Sequence, residues 1–135
     1  MKERYILEAL QKAVTQATTL DVKYIGRNMT IPVNGKWLEI VYIPNNIENE
    51  FWSDSKTYRG LMRLIVHWPI DDSGVYGALD SAKTICEYFM KGMILSDPAN
   101  NVRVQITDNP NISDVMEQPP ELLVPITLRY SYFKA

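Results

Sequence analysis

From Glu121 to Phe133 the chain reads ELLVPITLRYSYF, which places Leu122, Val124, Ile126, Leu128, Tyr130 and Tyr132 on one parity and Leu123, Pro125, Thr127, Arg129 and Ser131 on the other. Successive side chains of a strand point to opposite faces, so this run demands a long strand with one face wholly apolar. Such a face is stable only inside a sheet that a second layer covers. Pro125 has no N–H to give to a ladder and is expected where that missing donor faces outward, at an edge or a bulge.

The rest of the chain supplies the other strands and the covering layer. Arg59 to Trp68, RGLMRLIVHW, is dense in branched residues and stops at Pro69, the pattern of a strand through the middle of a sheet. Lys36 to Ile43, KWLEIVYI, reads as a strand closed by Pro44, and Val102, Val104 and Ile106 alternate with polar neighbours as a third. Short strands are expected at Asp21 to Ile25 and Met29 to Val33, the second joined to Lys36–Ile43 as a hairpin through Asn34-Gly35. Between Glu3 and Thr18, Ile6, Leu7, Leu10, Ala13, Val14 and Ala17 recur at helical spacing. A second helix is expected from the Asp71-Asp72-Ser73-Gly74 start to about Lys91, with a buried stripe of Ala78, Leu79, Ala82, Ile85, Cys86, Phe89 and Met90 and an end at Gly92. Helix, strands, helix, strands is the order of an α+β fold, with a mainly antiparallel sheet and two helices packed on one face.

At 135 residues and 46% hydrophobic, with three Trp and eight Tyr, the chain is expected to form a single domain over residues 1–135. Its 14 basic and 16 acidic residues give a net charge of −2 with neither sign gathered into a run, which argues against a dedicated nucleic-acid or anionic-membrane binder. The lone Cys86 permits no internal disulfide and fits a reducing compartment. No apolar stretch approaches the roughly 20 residues that span a bilayer, and the N-terminal segment is amphipathic rather than signal-like, so no membrane partner is expected.

Residues able to carry chemistry are few. His67 is the one histidine, and the sequence nominates no orienting partner for it; a lone strand histidine is usually structural. Cys86 shares the helical stripe of Ala82 and Phe89, where a thiol behaves as a small hydrophobe. Asp71, Asp72 and Asp80 lack the oxygen-ligand pattern of a calcium loop, and helix capping accounts for them. No glycine-rich phosphate loop occurs. No catalytic residue, cofactor or metal is therefore expected. A small hydrolase or ligand-binding module around His67 is the alternative of a different class.

The aromatics are the better lead: Trp37, Trp52, Tyr58, Trp68, Tyr130 and Tyr132 are many for a small chain, and Phe51-Trp52 falls in PNNIENEFWSDSKTY, a stretch without period that reads as a loop. Aromatic side chains are enriched at protein interfaces. The loop from Asn45 to Tyr58 and the segment from Asp108 to Pro120 are long for idle connections, which marks Ile47, Phe51, Trp52, Tyr58, Ile112, Val115 and Met116 as candidate contacts with partners.

The N-terminal amphipathic helix, the strand KWLEIVYIP, the unit RGLMRLIVHWPIDDSGVYGALDSAKTICEYF and the closing strand PITLRYSYF together resemble the small tail terminator (tail completion) proteins of long-tailed bacteriophages. The closest correspondence runs from Tyr58 to Phe89, where a glycine opens a branched strand that ends at a proline, followed by an acidic glycine-containing turn and a helix. The resemblance implies assembly rather than catalysis: a homo-oligomeric ring, usually a hexamer, that caps the tail tube, stops its polymerisation and offers a docking surface to the head-completion or neck proteins. It also implies a place in the virion tail after assembly in the host cytoplasm. A head-completion or stopper protein of the neck is the nearer alternative. Six copies at −2 each carry −12, which suits a channel that DNA passes without specific binding; the inner surface is expected to be acidic or neutral.

Overall fold

The computed structural model describes residues 3–49, 56–71, 74–100 and 102–134. Helix α1, Glu3–Ala17, turns the spacing of its apolar residues into one buried stripe of Ile6, Leu10, Ala13, Val14 and Ala17. Full burial of side chains the size of Ile6, Leu10 and Val14 contributes about 1.5–3 kcal/mol each. After it come β1 (Asp21–Lys23), β2 (Trp37–Asn49), β3 (Lys56–Pro69), α2 (Tyr76–Tyr88), β4 (Ile94–Asp97), β5 (Val102–Ile106), β6 (Asn111–Ile112), β7 (Met116–Gln118) and β8 (Glu121–Lys134).

The eight strands form a mixed, mostly antiparallel sheet in the order β1-β2-β3-β8-β5-β4, with β6 and β7 also paired to β8. The closing run is its axis: one edge of β8 pairs with β3 from Pro69↔Glu121 to Tyr58↔Tyr132, and the other is shared by β5, β6 and β7 in succession. The even-numbered residues of β8 from Leu122 to Tyr132 share one core cluster with Leu38 and Ile40 of β2, Met62, Leu64 and Val66 of β3, and the stripes of both helices. The architecture is thus α+β, with the closing strand apolar on one face as its alternation requires.

Glycine permits two close approaches in this core. A Cβ on Gly60 would collide with the ring of Tyr130, and one on Gly77 would stand 2.8 Å from Cζ2 of Trp68. The first lets β3 and β8 keep their register beneath a buried tyrosine, and the second brings the first turn of α2 down onto an indole.

Several elements differ from expectation for identifiable reasons. The stretch after Pro44 is no loop over most of its length: β2 continues to Asn49 and β3 begins at Lys56. The register shifts between Pro44 and Ile47, so a bulge absorbs the proline that was expected to stop the strand. Met29 to Val33 is not a strand. Ile31 and Val33 are exposed, so no face of that segment is buried. Asn34-Gly35 forms a turn, with Gly35 N–H donating to the Pro32 carbonyl at 2.9 Å, but what precedes it pairs with nothing as a strand; β1 instead runs parallel to β2. The N-cap of α2 is Val75 rather than one of the aspartates, and Gly74, at φ 71°, closes a turn onto the Asp71 carbonyl. The helix therefore begins late, and it ends before Met90, which is exposed instead of completing the stripe. Gly92, at φ 90°, is left-handed, but it does not end the helix as expected: the C-cap is Phe89, whose N–H donates to the Ile85 carbonyl, and Gly92 turns the chain three residues later.

Pro125 lies in the axial strand, not at the rim. Ser113 N–H donates to its carbonyl at 2.9 Å, so the polar edge of Pro125 faces the β6–β7 side and the missing donor is not asked of β3, against whose Ile65 it is registered. Strand β4 was not anticipated at all.

Candidate assembly surface

The residues expected to meet partners fall into three groups. Phe51 and Trp52 lie outside the described residues. Ile47 and Tyr58 are register partners across the β2–β3 hairpin, and Tyr58 is registered with Tyr132 on its other side. Ile112 and Met116 stand 40% and 42% exposed on β6 and β7, while Val115 between them is half-buried against the core. Ile112 and Met116 both lie on the short strip beside β8, but their register partners Ile126 and Leu123 set them on opposite faces of it. Neither β6 nor β7 pairs with any further strand among the described residues, so the strip presents an open sheet edge.

The other aromatics resolve mostly as structure. Tyr130 and Tyr132 are buried in the core, and Trp68 lies over Gly77 with the Lys36 ammonium 4.5 Å above its ring. Apolar exposure also arises at positions that no sequence pattern marks: Val33 before the Gly35 turn, Ile70 after β3, and Tyr76, 75% exposed, at the start of α2. The exposure of Val33 follows from the failed strand, since no partner covers it.

On the face of the sheet opposite the core cluster, the register lines up Trp37, His67, Leu123 and Met116 across β2, β3, β8 and β7. His67 is buried, its ring stacked on Trp37 with centroids 3.7 Å apart and planes 8° from parallel. Nε2 lies 3.0 Å from Glu39 Oε1 and Nδ1 lies 3.3 Å from Glu121 Oε2. The histidine for which the sequence named no partner therefore has two. A carboxylate only accepts, so both contacts are hydrogen bonds when the ring carries both protons or one carboxyl is protonated. With both nitrogens taken by carboxyl groups, the ring offers no free lone pair to a hydroxyl or thiol, and the arrangement ties three strands together. Knowing that Trp37 and Glu39 share a face would have been a start, but only the inter-strand register sets them beside His67.

The same face carries Arg59, Arg63, Arg103 and Arg129. Arg63 is registered with Thr127 and Arg59 with Ser131, so Arg129 lies diagonally between them. All four are exposed. Arg59 and Arg129 also line a pocket of about 370 Å³ with Thr107 and Asp108.

A larger pocket of about 630 Å³ opens between α1 and β4, lined by Glu8, Lys12, Gln16, Tyr88 and Asp97 among others, with no histidine or cysteine. Among the described residues no group of three or more His, Cys, Asp or Glu side chains is placed to hold a metal ion. Cys86 is partly buried on α2, and burial, followed by the Glu87 carboxylate, pushes its thiol above the ordinary range. A raised thiol is the opposite of an activated nucleophile. No described helix is long and apolar enough to cross a membrane.

Comparison with known proteins gives a consistent result. One solved structure matches over 98% of this chain and 96% of its own length with a TM-score of 0.80, at 23% identity, which establishes a shared fold. No curated protein sequence matches the chain. The family model described as phage tail terminator protein matches residues 5–130, from the first turn of α1 almost to the end of β8. By that match across nearly its whole length, the chain belongs to the phage tail terminator protein family.

Proposed function

We propose that the protein is a non-enzymatic tail terminator that assembles as a ring, a hexamer by preference, on the end of the tail tube, stops tube polymerisation and presents the docking surface for the head-completion protein. Family membership over residues 5–130 carries this reading. In this reading the protein sits in the virion tail, is assembled in the host cytoplasm, and has the tube protein, the neck protein and copies of itself as partners, with DNA passing without specific binding.

In this reading the chain is one domain over residues 1–135, with both helices covering the same face of the sheet. The core cluster shared by α1, α2 and the even-numbered residues of β8 supports that arrangement. The opposite face and the β6–β7 edge are then left for partners. Ile112, Val115 and Met116 are contacts to the tube or the neighbouring subunit, and the segment from Asn45 to Tyr58, with Ile47, Phe51, Trp52 and Tyr58, is a second contact. Catalysis at His67 is disfavoured by the occupation of both ring nitrogens.

The test is addition of the purified protein to polymerised tail tubes, with negative-stain microscopy of tube ends. Density on one end only is expected. A protein that ignores the tube and binds the head portal would instead be a neck stopper.

A further inference from the structure

Charge is distributed in a way the net value of −2 conceals. Between Arg103 and Arg129 the chain has no Lys or Arg but carries Asp108, Asp114, Glu117 and Glu121. Glu121 is held by His67 and Asp108 lines the pocket with Arg59 and Arg129, which leaves Asp114 and Glu117, both exposed, on the open β6–β7 edge between and beside the exposed Ile112 and Met116. The sheet face opposite the core holds the converse. Arg63, Arg103 and Arg129 project from it without an ion pair among the described residues, and Glu39 and Glu121 on that face are engaged by His67. A channel for DNA is poorly served by such a face, because guanidinium groups bind phosphates.

Resting on the ring reading above, we propose that the arginine-bearing sheet face of one subunit receives the acidic, apolar-flanked β6–β7 edge of the next copy of this chain. Arg63 and Arg129 pair with Asp114 and Glu117 of the neighbour, and Ile112 and Met116, on opposite faces of the edge strip, flank the contact from its two sides. The two surfaces are different parts of the subunit, a sheet face and a sheet edge, so the contact is heterologous, the kind that closes into a ring when the rotation is right. Paired opposite charges fix the register of such a contact and exclude face-to-face association of like surfaces. The interaction weakens with salt, since much of it lies at an exposed rim.

Sedimentation velocity on the purified chain tests this with charge reversals. Arg63→Glu with Arg129→Glu, and separately Asp114→Arg with Glu117→Arg, are each expected to weaken self-association by about tenfold or more. All four substitutions in one chain are expected to restore it, as is mixing the two reversed proteins, whose alternating subunits are matched in charge at both kinds of contact. The positions are exposed, and unchanged circular dichroism and melting confirm that each variant is folded. A folded variant that still assembles like the unaltered chain, or a fourfold variant that stays dissociated, overturns the pairing alone. An unaltered chain that is monomeric at its highest soluble concentration overturns the pairing as a contact between free subunits, while the ring reading stands or falls on the tube-end test.

Discussion

Replacing Gly60 with alanine probes the packing that holds β3 against β8. Gly60 is not among the glycines with positive φ, so alanine brings no backbone strain, and removing glycine stabilises by about 0.4–1 kcal/mol through the unfolded chain. Against this, the new methyl would collide with the ring of Tyr130, which is buried and cannot swing into solvent without losing its packing. Overpacking of this kind costs about 1–3 kcal/mol, so the clash outweighs the entropy and the net loss is about 1–2 kcal/mol. For a chain of this size that lowers Tm by about 3–10 °C. Urea unfolding followed by tryptophan fluorescence measures it. Tyr130→Leu is destabilising by itself because it leaves a void, yet the added methyl fills part of that void. The double variant is therefore expected to be more stable than the sum of the single losses by about 1 kcal/mol. A Gly60→Ala protein as stable as the parent, or strict additivity with Tyr130→Leu, would refute the placement of that ring over Gly60.

Glu39→Ala and His67→Phe should each lower stability by about 1 kcal/mol, with a double-mutant coupling of at least about 0.5 kcal/mol; zero coupling in urea titrations would mean that the 3.0 Å contact contributes nothing. Cys86 should react with a disulfide reagent more slowly in the folded than in the unfolded chain at mildly alkaline pH, because its thiol is raised by burial first and Glu87 second. The sign for stability follows: the folded state keeps a proton that the unfolded state has released, so this contribution is complete below the ordinary thiol value and is lost as pH climbs through the folded one. Equal labelling rates in folded and unfolded protein would contradict it. Ile112→Asp with Met116→Asp should leave melting nearly unchanged while reducing binding to tube ends, as scored by pelleting with polymerised tubes.

The periodic elements were legible because each has one wet and one dry face. The stripe of α1, the alternation of β5 and the long strand β8 all follow from spacing, and with them the α+β class. What escaped depends on tertiary partners. Pro44 looks like the end of a strand because a local rule says so, but a bulge at Pro44–Ile47 lets the hairpin continue. Met29 to Val33 has the composition of a strand and lacks a face to bury. Asp71 to Gly74 has the composition of a cap, yet Gly74 adopts a left-handed turn and the helix waits for Val75. The carboxylates at His67 come from β2 and β8, and only the pairing register Trp37↔His67↔Leu123 places them there. Likewise the arginines at 59, 63 and 129 look scattered in the sequence until β3 and β8 align them on one face.

The central claim is that this protein ends a tail tube. Growth of tail tube protein in solution, with and without the purified chain, measures it most directly by the length distribution of tubes in electron micrographs. The account predicts that substoichiometric protein, added during growth, halts elongation and leaves short tubes bearing a ring at one end. Tubes that reach the same lengths with bare ends in the presence of excess folded protein would contradict it.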